Sequence, residues 1–454
     1  MVESLIKNIQ VWQWALVIGS SLLLILIAPV AKTADNFFRG SKVDQQPGFW
    51  LLTSSLVISW LFAKSITNAA NLGLEFGMVG TVAYAAYYGS FFVAGVVIYQ
   101  LRTKGHFKSI HHFLRDKFGS GAIAIFSLLI AFRLLNEVWS NTMVIGTYFG
   151  ESGSSPYYLS IITFTILTAA YTLKGGLRSS LLTDLIQMVL FGVLLFVILG
   201  VILPEEEISV KGFVTSGSWT LAGGLNLFFV AVLQIFSYPF HDPVMTDRGF
   251  IGDPKTTLTS FIWAGIIGGL CIILFGWVGI YAQQKGLTGQ APVEVAKLLG
   301  AAMMLMINFI MITSAASTLD SAFNSFAKLW VIDLKFSKAP SVTAGRWAIV
   351  AIMVIGSIPV FMGAEILSAT TVSGTMVIGL TPIFLFWSDR ANRYSFYAAV
   401  GGGVVLGITY AVGFEFGNPI GGRYGALLWV NILGIIGTLL LYQIPYLYQK
   451  IQKR

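Results

Sequence analysis

Residues 314–325 read "SAASTLDSAFNS", and residues 301–313 immediately before them read "AAMMLMINFIMIT". An apolar run thus passes without a break into hydroxyls, an amide and a carboxylate. In hydrocarbon each unsatisfied polar group costs several kcal/mol, so polar residues at that depth need a reason. At 100° per residue Ser314, Ser317, Thr318, Ser321 and Ser325 form one helical stripe, with Asp320 at its edge. Small hydroxyl residues by themselves read as helix-packing glue. An intramembrane carboxylate beside them reads as function. Hydroxyl and carboxylate oxygens together are hard ligands that suit an alkali cation rather than a transition metal.

The rest of the chain places that stripe in a membrane. Of the 454 residues, 56% are hydrophobic and 11% are charged, against about 25% charged in soluble domains. The mean hydropathy is +0.78. Apolar runs long enough to cross a bilayer recur from end to end. Thirteen candidate helices are expected near 10–30, 48–72, 78–101, 120–147, 156–173, 180–203, 220–240, 257–282, 298–330, 344–362, 366–388, 395–412 and 425–447. The first lacks an A-x-A cleavage site and reads as a true span. Alternate connections hold 20 of the 28 Lys and Arg, and the opposite set holds 5. That bias predicts an N-terminus outside, a C-terminus in the cytoplasm and a multi-pass protein of the inner (plasma) membrane. The net charge of +8 then reflects topology, and no nucleic acid partner is expected. Cys271 stands alone in an apolar run and reads as a buried small residue.

Other polar positions interrupt the spans. In "GGLRSSLLTDLIQ", residues 175–187, Asp184 follows Thr183 and precedes Gln187. In "FRLLNEVWSN", Arg133 and Glu137 stand at i, i+4, which predicts that they neutralise each other. Two helices read as broken. "LFAKSITNAANLGLEFG" carries Lys64, Thr67, Asn68 and Asn71 in mid-span, and "LQIFSYPFHDPVMTDRGF" carries Pro239 and Pro243 around His241 and Asp242. Secondary transporters build ion and solute sites from such breaks. The two breaks lie five helices apart, as two inverted five-helix repeats would place them. Solute-binding candidates are Thr67, Asn68 and Asn71, then Gln234, Ser237 and Tyr238, and Thr370 and Thr371 in "LSATTVSGT", with Asn141 weaker. These are neutral donors and acceptors, suited to a small polar organic solute such as an amino acid, an amide or urea, or a sugar. The four histidines fall in or near predicted cytoplasmic loops without zinc-like spacing, and no enzyme is expected.

With these residues in view the chain resembles the sodium:solute symporter family. The resemblance rests on "GGLRSSLLTDLIQ", on "ASTLDSAFNS" followed by Asp333, and on "PVMTDRGF" after the proline-broken helix. Residues 60–84 also look similar to the urea active transporters. The family implies a leucine-transporter-like fold, in an all-α polytopic single transporter domain: a leading helix at 10–30, one five-helix repeat over 48–203, an inverted repeat over 220–388 and two trailing helices over 395–447. It implies sodium-coupled symport by alternating access, with Na+ as coupling ion, in a monomer surrounded by lipid. Its conserved sodium site, carried over, falls on carbonyls of Ala63, Ile66 and Ser314 and hydroxyls of Ser317 and Thr318. A second cation or proton site falls on Asp184, Ser317, Asp320 and Ser321, where Asp320 departs from the family's serine-like residue. Lys64 departs too. Its ammonium pairs with Asp320, Asp184 or Glu137, takes the cation's place, or snorkels along a vestibule. Competing readings are a sodium-independent or proton-coupled transporter and a transport-like membrane sensor.

Overall fold

The computed structural model describes residues 9–39, 46–204, 210–337, 339–362 and 373–452. Among the described residues nine helices are long and apolar enough to cross a membrane. A tenth span results if Phe49–Ile58 (α1) and Ala63–Phe76 (α2), bent by 59° at a short break, count as one. The thirteen runs expected from sequence coincide with helix or broken helix where described, but among the described residues thirteen spans are not reached. Two of the runs, near 156–173 and 180–203, fall on Ser155–Ile202 (α3), which is two helices joined at a kink at Gly176. The seventh run breaks into short pieces over 221–248, of which Asn226–Gln234 (α4) and Pro243–Arg248 (α5) are α-helical. Part of the run near 366–388 lies outside the described residues.

The chain divides into two compact units, each assembled from three stretches. The first takes residues 1–82, 134–218 and 270–366, and the second takes 83–133, 219–269 and 367–454. At the heart of the first unit lies Ala301–Lys328 (α6), the helix of the serine stripe. Of its apolar window 78% is buried, against 22% for Ile9–Ile27 (α7) at the unit's edge. The central helix packs on α3, and α3 in turn packs on α1 and α7. In the second unit the helices Arg393–Ala411 (α8) and Gly425–Gln452 (α9) pack on each other, and α4 packs on α9.

Local chemistry explains where these helices begin. The hydroxyl of Ser154 accepts from the Tyr157 amide with Pro156 in the first turn of α3, and Asn392 accepts from the Tyr394 and Ser395 amides ahead of α8. Each satisfies amides that a helix start leaves open. Between membrane helices apolar burial supplies little force, so close approach and polar contacts must hold them together. Gly279 shows the first: a Cβ there would collide with the Ala70 carbonyl oxygen.

One glycine decides the geometry of the polar cluster. Gly176 interrupts α3 at φ 57° and ψ −150°. Tyr171 and Ser180 lie nine residues apart, which on an uninterrupted helix puts them on opposite faces. The kink turns both toward the same carboxylate, that of Asp320. A Cβ at Gly176 would also stand 2.5 Å from the Phe37 carbonyl oxygen. Gly176→Ala is therefore expected to destabilise the protein by more than about 1 kcal/mol, seen as a lower melting temperature in detergent. An unchanged melting temperature would show that α3 tolerates a straight course here.

Candidate functional site

The break between α1 and α2 frees backbone carbonyls inside the first unit. The hydroxyl of Ser314 on α6 donates to one of them, the Leu61 carbonyl. Ala63 and Ile66, the residues to which sequence assigned sodium-binding carbonyls, occupy the first turn of α2 and are fully buried. Thr318 donates to the Ser314 carbonyl at 2.9 Å. Ser317 donates to Asp184 Oδ1 at 2.6 Å, and Ser55 on α1 donates to Asp184 Oδ2 at 2.5 Å. A hydroxyl that donates its proton keeps two lone pairs that can face a cation. The aspartate thus draws together α1, α3 and α6. It is fully buried, not snorkelling.

The second carboxylate of the cluster is held in the same way. Asp320 accepts from Tyr171 at 2.9 Å, Ser180 at 2.8 Å, Thr183 at 3.3 Å and its neighbour Ser321 at 3.3 Å. Ser180 and Ser321 also lie 3.3 Å apart, and the Tyr171 hydroxyl reaches the Ala316 carbonyl at 3.0 Å. Ser55, Tyr171 and Ser180 were not foreseen as members. Ser180 stands inside the quoted "GGLRSS" motif, but Ser55 and Tyr171 carry no local signal, because only packing brings them to the acids.

Lys64 Nζ lies 2.6 Å from Glu137 Oε1, with the two side chains 1% and 3% exposed. Asn141 completes a ring. Its amide nitrogen donates to Glu137 Oε2 at 2.9 Å, and its oxygen accepts the Lys64 backbone N–H at 3.2 Å. That amide belongs to the first turn of α2 and has no partner within the helix. Of the three carboxylates named from sequence the structure therefore joins Lys64 to Glu137. Arg133, which the spacing sets beside Glu137, lies 3.2 Å from Asp242 within the second unit, and its guanidinium lies 5.2 Å from the Tyr238 ring centre.

The solute candidates fall in both units. Thr67 and Asn68 are buried in the first. Asn71 is taken up by structure: it donates to Gln290 at 2.8 Å and accepts from the Ala291 amide at 2.9 Å, at the start of the helix Ala291–Leu298 (α10). In the second unit Gln234 accepts from Tyr87 and donates to Asn431 on α9, both at 2.9 Å, and Asn431 donates to Thr375 at 3.3 Å. Ser237 donates to the Gln234 carbonyl at 3.2 Å. Tyr238 stands 5.8 Å from the Tyr87 ring and 4.8 Å from the His241 ring. His241 itself, expected in or near a loop, is 1% exposed. Thr370 and Thr371 lie outside the described residues. Among the described residues no group of three or more His, Cys, Asp or Glu could hold a metal ion.

The Lys64–Glu137 pair generates a direct test. Removing one partner of a buried pair leaves an uncompensated charge at a cost of about 3–5 kcal/mol, whereas replacing both can be nearly neutral. Lys64→Met and Glu137→Gln should each lower the melting temperature, and the double variant should recover much of the loss. Simple additivity would mean that the two charges are not coupled.

The sequence model of the sodium:solute symporter family matches residues 48–215. Solute carrier family 5 member 4A of Mus musculus is 22% identical over 463 residues, covering 85% of this chain and 69% of that protein. Sodium/myo-inositol cotransporter 2 of Mus musculus is 28% identical over 173 residues, covering 35% of this chain and 25% of that protein. Among solved structures, a Na+-coupled sialic acid symporter in a substrate-bound outward-open state matches with TM-score 0.72 at 17% identity, covering 95% of this chain and 96% of that one. A nucleobase-cation-symport-1 family transporter in a closed conformation matches with TM-score 0.56 at 13% identity, covering 92% and 94%. At such identities these likenesses concern the fold, which is that of leucine-transporter-like proteins. Over residues 48–215 the chain matches the sequence pattern of the sodium:solute symporter family.

Proposed function

We propose that this protein is a secondary active transporter that couples sodium to the uptake of a small polar organic solute by alternating access. The observation that carries the reading is Asp184, buried and hydrogen-bonded by Ser55 and Ser317, on the helix next to the serine stripe. The Ser55 and Ser317 hydroxyls on it are hard oxygen donors that suit an alkali cation. The first sodium site consists of the carbonyls of Ala63, Ile66 and Ser314 with the hydroxyls of Ser317 and Thr318. The second site consists of Asp184, Asp320 and Ser321. The likeness of residues 48–215 to the sodium:solute symporter family supports both assignments, and so does the placement of Ser314 against the break.

The solute is neutral or internally balanced in this reading, because Lys64 is already matched by Glu137. Thr67, Asn68, Gln234, Ser237 and Tyr238 offer amide, hydroxyl and aromatic contacts. The chain works as a monomer in the cell membrane, through two inverted five-helix repeats, with the C-terminus in the cytoplasm. A proton-coupled reading has one observation in its favour. Asp320 adds a second buried carboxylate beside a TD aspartate. A second buried acid could carry a proton where a single one would hold a metal ion.

Uptake into proteoliposomes, in sodium and in choline buffer, tests the assignment. Ser317→Ala with Thr318→Val should raise the sodium concentration for half-maximal uptake about tenfold or more, a change of about 1.4 kcal/mol per decade. Sodium dependence that survives the double change would move the first site elsewhere. Asp184→Asn should cut accumulation against a gradient more than it cuts solute binding, and equal losses would make Asp184 structural. Asp320→Asn separates the two couplings: if protons are carried there, uptake loses its response to an imposed pH gradient while its sodium response stays.

A further inference from the structure

A groove of about 560 Å3 in the first unit combines two cations with an apolar wall. It lies where α3 meets the helix Val342–Ser357 (α11). Ala170, Leu173 and Val350 form the wall, and Lys174 and Arg346 stand at one end of it with Trp347 beside them. None of the lining residues is acidic. Lys174 Nζ donates to the Ile25 carbonyl at 2.7 Å and the Leu26 carbonyl at 3.4 Å, neutral groups in the last turn of α7. The one hydrogen bond of Arg346 among the described residues runs from Nε to the Leu173 carbonyl at 2.9 Å. Both positive charges are thus positioned by carbonyls, which fix the side chains without neutralising them.

The wall continues outward as two exposed apolar stripes. On α11, Trp347 and Val354 are 69% and 55% exposed, with Val350 between them at helical spacing. On α3, Ile166 is 54% exposed, one turn from Ala170. Each stripe starts at a cation and leads away from it. That pattern is a charged head site joined to a chain-shaped track. Tryptophan prefers the membrane–water boundary. In the orientation predicted by the Lys and Arg distribution, this end of both helices is cytoplasmic, where the leaflet surface is negative and basic pockets between helices take anionic headgroups.

We propose that the groove binds one anionic phospholipid, its phosphate held by Lys174 and Arg346 and an acyl chain lying along Trp347, Val350 and Val354. This goes beyond the transport reading and does not depend on what the protein carries. Purified protein is exposed to phosphatidylglycerol, phosphatidylcholine or inorganic phosphate, and retained lipid and melting temperature are measured by native mass spectrometry and thermal shift. Phosphatidylglycerol should be retained and should raise the melting temperature, while phosphatidylcholine and inorganic phosphate should not. Arg346→Gln, an exposed position, should weaken phosphatidylglycerol retention about fivefold, the factor for one basic side chain near an anionic surface at ~1 kcal/mol. Lys174→Gln with Arg346→Gln should abolish the preference. Trp347→Ala, which leaves both charges in place, should weaken retention of long-chain but not of short-chain phosphatidylglycerol. Equal retention of the two lipids, stabilisation by inorganic phosphate alone, or unchanged retention in Arg346→Gln would each overturn the proposal.

Discussion

The structure depends on a constraint of the bilayer: a helix that breaks inside hydrocarbon must have its exposed backbone groups satisfied by side chains. The break between α1 and α2 meets this from two directions. Ser314 donates to a carbonyl on its near side, and Asn141 accepts the first-turn amide of Lys64 on the other. Asn141 can do so because Glu137 fixes its amide group, and Glu137 is itself fixed by the Lys64 ammonium. A buried pair of this kind adds little net stability over an apolar replacement. Its value lies in geometry, because the ring joins the ammonium, the amide and the break in one arrangement.

The acid cluster follows from the same constraint. Two carboxylates at zero exposure are costly to leave bare, and the chain surrounds them with hydroxyls from α1, α3 and α6. Those hydroxyls converge only because Gly176 bends α3, which lets residues from opposite faces of one helix serve one acid. The small side chains have a second use. Serine and threonine allow helices to approach closely, so packing glue and oxygen ligation are two properties of the same stripe.

The second unit handles its own break differently. Around Pro239 and Pro243 the charge of Asp242 caps α5 through the Val244 and Met245 amides and also meets Arg133. Gln234, one turn earlier, is held at both ends by Tyr87 and Asn431. A carboxamide so engaged has one fixed orientation.

Much of this was legible in the letters. Hydropathy marked the membrane helices, proline and mid-span polar residues marked both breaks, and the spacing of Ser314, Ser317, Thr318 and Ser321 marked the face of α6 that carries the cluster. These are properties of one segment at a time, and periodicity reports them. Tertiary structure alone decided which charges meet. Lys64 had three possible carboxylates and meets Glu137 on another helix, and Arg133 meets Asp242, a partner that no spacing within one helix announces. Ser55, Tyr171 and Asn431 entered the clusters unannounced for the same reason. In a membrane the partners of a buried polar group are set by how helices pack, and packing joins residues that sequence keeps far apart.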